Sequence, residues 1–145
     1  MEHIAIMRKS WGLTKKILSG DKRIESRWYA TRRAPWKTLK EGEIVYFKES
    51  GDPVTIKAVV SKVERFEGLT PEKVRALLKR MYKEDGIEKG KVDHYTKEFK
   101  RKRYCMLIHL KDPQSIKPFN IDKRGFGIMS AWISVESVDS IKAHI

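Results

Sequence analysis

The sequence predicts an α+β protein in which short strands flank a helical segment and a further helix lies near the N-terminus. Three observations carry this reading. Period-two runs rich in β-branched residues recur, as in Ile44–Lys48 and Val54–Phe66, and turn signals separate them. Thr70-Pro71-Glu72 marks a helix start, with Thr at the cap and Pro at the first position, and Val74, Leu77, Leu78 and Met81 follow at helical spacing. The 145 residues are 40% hydrophobic and 35% charged, enough to bury a core and too apolar for disorder. One domain over residues 1–145 is expected, with 70–103 as a basic helical segment inside it.

Taken in order, His3 to Met7 reads as the first strand. Ser10 is a credible N-cap for a helix reaching Leu18 or Ser19, with Leu13, Ile17 and Leu18 as its buried stripe. Trp11 either staples the helix start or stands exposed. Gly20 follows the last turn, where a left-handed residue commonly ends a helix. Ile24 to Trp28 is a strand, and Trp28 to Trp36 a loop that lacks a period and contains Pro35. Asp85-Gly86 ends the central helix, and a second helix runs from Val92 to about Lys100 with Tyr95 and Phe99 as an i,i+4 pair. Tyr104 to Leu110 is a buried strand that ends at a turn at Asp112-Pro113, and Pro118 to Ile121 is a separate short strand. Ser130 to Val135 is the last strand, and Val138 and Ile141 fit a short closing helix or strand.

The stretch Gly20-Asp21-Lys22-Arg23-Ile24-Glu25-Ser26-Arg27 concentrates the chemistry. On a strand, Glu25 and Arg27 share one face, and Lys22 just before it leans over the same face. Such a cation–anion–cation array holds a phosphate or the polar edge of a base: Arg27 as a planar fork of donors, Lys22 as a compact charge, Glu25 as an acceptor. Spacing alone leaves an ordinary pair of salt bridges as an equal alternative.

These residues resemble a family motif. Gly20, Lys22, Glu25 and Arg27 fit the G-x-K-x-x-E-x-R pattern of ASCH domains, relatives of the PUA fold. Trp11, Leu13, Ile17 and Leu18 resemble that family's preceding helix, and Trp132-Ile133-Ser134-Val135 its closing strand. The likeness covers Ile4 to Val63 and Tyr104 to Val135. It implies a small PUA-like mixed β-barrel with an N-terminal helix, and a cleft beside the motif that binds RNA or another nucleic acid. A minority of relatives implies a small enzyme, a nucleoside amidohydrolase or a ribonuclease, in which Lys22 and Glu25 would be catalytic. The amidohydrolase branch looks to have Thr where this chain has Glu25. Its downstream acid has only Glu64 and Glu67 as weak matches.

Charge points the same way. Lys and Arg number 32 against 19 Asp and Glu, a net +13, which favours a polyanionic partner. From Arg8 to Lys40 there are 11 Lys and Arg against 2 Asp and Glu, and from Thr70 to Arg103 there are 12 against 6. The Trp28–Trp36 loop interleaves Trp28, Tyr29 and Trp36 with Arg32 and Arg33, the mixture that stacks on unpaired bases and contacts phosphate. Packing of those aromatics beneath the loop is the alternative. Lys123-Arg124-Gly125-Phe126-Gly127 is a basic loop that a barrel would place at the cleft mouth.

Other classes find no support. Cys105 is the only cysteine, so no disulfide forms within the chain, and one Cys with four scattered His makes no zinc site. No metal and no cofactor are expected. No apolar run approaches a membrane span, and a cytoplasmic protein without a membrane partner is expected. The leading expectation is therefore an RNA-binding module holding single-stranded or locally unpaired RNA, with Lys22, Glu25, Arg27, Trp28, Tyr29, Arg32, Arg33, Trp36, Lys123 and Arg124 as contact residues. The runner-up is the small hydrolase, and an adaptor within an RNA-processing complex is a third reading.

Overall fold

The computed structural model describes residues 1–9, 12–33, 35–127 and 130–143. Six strands form one sheet: β1 (Glu2–Met7), β2 (Ile24–Tyr29), β3 (Ile44–Glu49), β4 (Val54–Phe66), β5 (Tyr104–Phe119) and β6 (Trp132–Val135). Their spatial order is β2-β5-β4-β3-β1-β6. β1 and β3 run parallel and the other neighbours antiparallel, so the sheet is mixed. It curls into a half-barrel whose outer strands are β2 and β6. Three helices complete the α+β architecture: α1 (Leu13–Ser19), α2 (Pro71–Met81) and α3 (Val92–Phe99).

Alternation along the strands sorts the side chains into two apolar layers. Val45, Phe47, Ile56, Ala58, Val60, Met106 and Ile108 fill the concave side with Ile17 from α1. Ile24, Trp28, Cys105 and Leu107 point the other way and pack under Val74, Leu77, Leu78 and Met81 of α2. Cys105 is buried there as expected, and burial pushes its thiol well up. A smaller third cluster joins Ile4, Val54 and Ile133 to Val138 and Ile141 of the closing 3₁₀ turn.

Local signals explain the element ends. The Thr70 hydroxyl accepts from the Lys73 amide at 3.3 Å and caps α2. Gly20 closes α1 at φ 85°, a backbone angle that L side chains rarely adopt. The expected N-cap Ser10, and Trp11 beside it, lie outside the described residues. One strand departs from the expectation. No turn forms at Asp112-Pro113, and no separate strand spans Pro118–Ile121. β5 instead continues from Tyr104 to Phe119 beside β4. The register shifts between Lys57 and Val59, where Asp112 (φ 52°) and Pro113 are accommodated, and again between Val54 and Ile56. A bulge tolerates both a left-handed residue and a residue without an N–H, so the turn signal is absorbed without ending the strand.

Candidate nucleic-acid cleft

The turn after α1 sets the site. The Lys22 amide donates to the Lys16 carbonyl at 2.9 Å, and the next two amides, of Arg23 and Ile24, both donate to the Glu84 carbonyl at 2.6 and 2.8 Å. The motif is thereby tied to the end of the α2 segment before β2 begins. Lys22 is only 1% exposed. Its ammonium donates to the Ile24 carbonyl (2.7 Å), the Asp85 carbonyl (2.8 Å) and Asp85 Oδ1, with Glu25 Oε1 at 3.3 Å. Ammonium has three N–H donors. As placed, Lys22 has none left for a phosphate, and it acts on the cleft through the carboxylates that it holds.

The cluster extends both ways from this lysine. Asp85 Oδ2 accepts from the Ser26 hydroxyl at 2.6 Å, and Trp28 Nε1 donates to Ser26 Oγ at 3.0 Å. Glu25 Oε2 accepts from Arg27 Nη2 at 2.9 Å. Arg27 also donates to the Ala131 carbonyl at 3.3 Å and lies over the Trp132 ring at 5.2 Å, so it reaches from β2 to β6. Gly86 makes the close approach possible. Its φ is 75°, and a Cβ there would stand 3.2 Å from Lys22 Cβ and 3.3 Å from Lys16 Cδ.

Two carboxylates thus share one buried ammonium. Burial works to lower the Lys22 pKa, but Asp85 and Glu25 outweigh it and hold the group raised and protonated. Burial raises the Asp85 carboxyl against the pull of Lys22. A role for Lys22 as base or nucleophile would need a lowered pKa, whereas its neighbours raise it.

A cleft opens beside the cluster. One hollow of about 260 Å³ is lined by Glu25, Ser26, Asp85, Tyr95 and Phe99, with Lys16 and Lys91 at its side. A second of about 220 Å³ lies toward Arg27 and Ala131. The two share Leu13, Glu25, Ser26 and Phe99. Together they offer carboxylate and hydroxyl groups beside aromatic walls, at the small end of ligand-pocket sizes.

Of the other expected contact residues, Trp28 lines the second hollow and the rest lie outside both. Trp28 is 8% exposed and stacks on Phe99 at 4.9 Å. Trp36 is 6% exposed and packs edge-on to Tyr104. The packed alternative therefore describes both tryptophans. The Tyr29 hydroxyl is buried without a hydrogen-bond partner, and burial pushes it up to about 12. Arg32 is exposed, pairs with Glu67 at 2.9 Å and lies over Tyr104 at 5.6 Å, and Arg33 is exposed beside it. Lys123 donates to the Ser130 carbonyl at 3.1 Å, and Arg124 pairs with Asp122 on the surface. Neither lines the cleft. Glu64 and Glu67 do not reach it either, since Glu64 pairs with His109 and Arg80, and Glu67 with Arg32.

The acid that meets Lys22 is Asp85, 63 positions away along the chain. Sequence reasoning saw Asp85 only as part of a helix-ending turn, and Tyr95 and Phe99 only as a helical pair. The available signal was the Asp-Gly step after an amphipathic helix, which fixes a tight turn but not its partner.

This mixed half-barrel, with an N-terminal helix and a cleft beside the first motif strand, is a small PUA-like fold, and in particular the fold of an ASCH domain. The chain is similar to the crystal structure of ASCH from Zymomonas mobilis, with a TM-score of 0.68 at 19% identity over 98% of this chain and 96% of that one. It is also similar to the N-terminal domain of Staphylothermus marinus McrB, with a TM-score of 0.55 at 13% identity over 96% of this chain and 90% of that one. No family model matches the chain, and no curated protein does. Among the described residues no helix is long and apolar enough to cross a membrane.

Proposed function

We propose that residues 1–145 form one RNA-binding ASCH domain that takes an unpaired nucleotide of a single strand in the cleft. The observation that carries this is the division of charge around Phe99. On its cleft side lie Glu25, Ser26 and Asp85, an acidic and polar floor between aromatic walls. Such a floor repels phosphate but accepts from the exocyclic amine of a base, and Tyr95, stacked on Phe99 at 5.9 Å, supplies the aromatic surface for stacking. On its other side the chain runs directly into Lys100-Arg101-Lys102-Arg103. The Arg103 amide donates to the Tyr29 carbonyl at 2.9 Å, which brings this ridge beside the loop bearing Arg32 and Arg33. A strand whose base enters the cleft can lay its phosphates along these cations. Lys22 and Arg27 then position Glu25 rather than touch the phosphate.

Binding of a short single-stranded RNA, measured against salt, tests this. The log of the affinity should fall steeply with the log of salt, and replacing Lys100, Arg101, Lys102 and Arg103 by Gln should flatten the slope by about 3. Tyr95→Ala should weaken binding by roughly ten- to a hundredfold at fixed salt. A flat slope in the parent protein sinks the reading.

A second reading, a small hydrolase on modified nucleosides or RNA, is favoured by Asp85. A buried carboxyl with a raised pKa beside a substrate-sized hollow suits proton transfer, with Glu25 alongside and Lys22 as the fixed counter-charge. Turnover of acylated cytidines or structured RNA that Asp85→Asn abolishes, with the fold intact, would support it. Tight RNA binding without turnover favours the first reading.

A further inference from the structure

A second opening lies on the far side of the Glu84–Gly86 segment, between β4, β5 and the end of α2. It encloses about 480 Å³ and is lined by Arg23, Ser61, Glu64, Arg80, Glu84 and His109 among others. None of these residues lines the cleft described above. His109 Nε2 meets Glu64 Oε2 at 2.8 Å, and Arg80 Nη2 reaches the two Glu64 oxygens at 3.4 and 3.3 Å. The register explains how they gather. Val60 pairs with Leu110 and Lys62 with His109, so Ser61 is the extra residue of a bulge. Bulges of this kind re-aim side chains and recur beside functional sites.

We infer that this opening is a phosphate-binding site, formed by Arg23, Arg80 and His109 and held in shape by Glu64. Glu64 alone faces two cations, Arg80 and Lys62 at 4.0 Å, and the His109 ring, and its carboxylate is committed to orienting them. Arg23 is exposed and has no ion-pair or hydrogen-bonded side-chain partner among the described residues, so its whole fork of donors remains for a ligand. Arg80 lies over the Phe66 ring at 5.6 Å, which presents its guanidinium edge. The Nε2 contact with Glu64 fixes the His109 ring at the wall of the opening. The charged groups around that ring are Lys62 and Glu64 from β4, Arg80 and Glu84 from α2 and its end, and Arg23 from the turn before β2. The cations outnumber the two carboxylates, and the guest that this balance selects is a tetrahedral oxyanion of the phosphate-ester class.

Sulfate is the probe, since it matches phosphate in shape and does not titrate near neutrality. Added to the intact protein at millimolar concentration, it should move the side-chain resonances of Arg23, Arg80 and His109. In Arg23→Gln with Arg80→Gln its affinity should fall about tenfold or more. Arg23→Gln alone is the control for folding, because that side chain holds no partner in place, and it should weaken sulfate with an unchanged backbone spectrum. Short RNA without a terminal phosphate that moves the same resonances identifies a backbone diester as the source. A response only to 5′-phosphorylated RNA identifies a terminal monoester. Resonances unmoved by sulfate, or moved equally in the double variant, overturn the site whatever Tyr95 and the ridge do for RNA.

Discussion

Two buried polar clusters join distant parts of this chain, one beside the cleft and one at the seam of β1, β3 and β6. At the seam, His3 Nε2 meets Glu43 Oε1 at 3.0 Å, and Trp132 Nε1 donates to His3 Nδ1 at 3.2 Å. Nδ1 is then an acceptor, the proton sits on Nε2, and the ring is neutral. Burial lowers the His3 pKa accordingly. Glu43 also receives the Lys40 amide (2.7 Å) and the terminal ammonium (2.8 Å). Burial works to raise its carboxyl, but these donors outweigh it and hold it down at about 2. Every charge at the seam is matched, and none of these residues lines the cleft. The Lys22 cluster is also matched, Asp85 and Glu25 against Lys22 and Arg27, but it opens onto a hollow. A cluster sealed in the fold only fastens it, whereas one whose carboxylates line an opening leaves their remaining lone pairs for a guest.

The largest break in this comparison should come from Lys22→Met. It strands Asp85 without its counter-charge and leaves Glu25 only Arg27, and urea unfolding should show a loss of about 3–5 kcal/mol. Adding Asp85→Leu should return part of it. The raised Lys22 pKa also fixes a sign: its contribution is complete below pH 10.5 and disappears as pH rises through the folded value, so alkaline melting should be early. Glu43→Gln comes next, at about 1–3 kcal/mol near neutrality. Because the folded pKa is depressed, that contribution is present above pH 4.5 and lost as pH falls through about 2. Melts of parent and variant should therefore converge in acid. Gly86→Ala should cost about 1–2 kcal/mol, from its φ of 75° and the Lys22 contact, and it should affect only the first cluster. Smallest of all, Arg124→Gln should leave both the melting temperature and RNA affinity unchanged, since its pair with Asp122 lies at the surface with 91% of the Arg124 side chain exposed.

The motif was legible because its parts are local. Gly20, Lys22, Glu25 and Arg27 lie within one turn and one strand, and alternation places Glu25 and Arg27 on one face. Asp85 was not legible, because only the packing of α2 against the sheet brings it to Lys22. Trp28 shows a related limit. It shares a strand face with Ile24 and Ser26, but no local pattern says that α3 lays Phe99 over that face. In β5, Asp112-Pro113 carries a turn signal that the register shift with β4 overrides. Strand ends depend on the neighbouring strand, and a single sequence run does not contain its neighbour.

The reach of Arg27 across to Ala131 and Trp132 has a consequence for how the molecule meets copies of itself. A full barrel has no free rim, but here a guanidinium and not a ladder of amides spans the gap between the outermost strands. Those strands keep unpaired backbone donors and acceptors behind a single side-chain clasp. Removing the clasp should therefore make the rims better templates for pairing with a strand of another molecule.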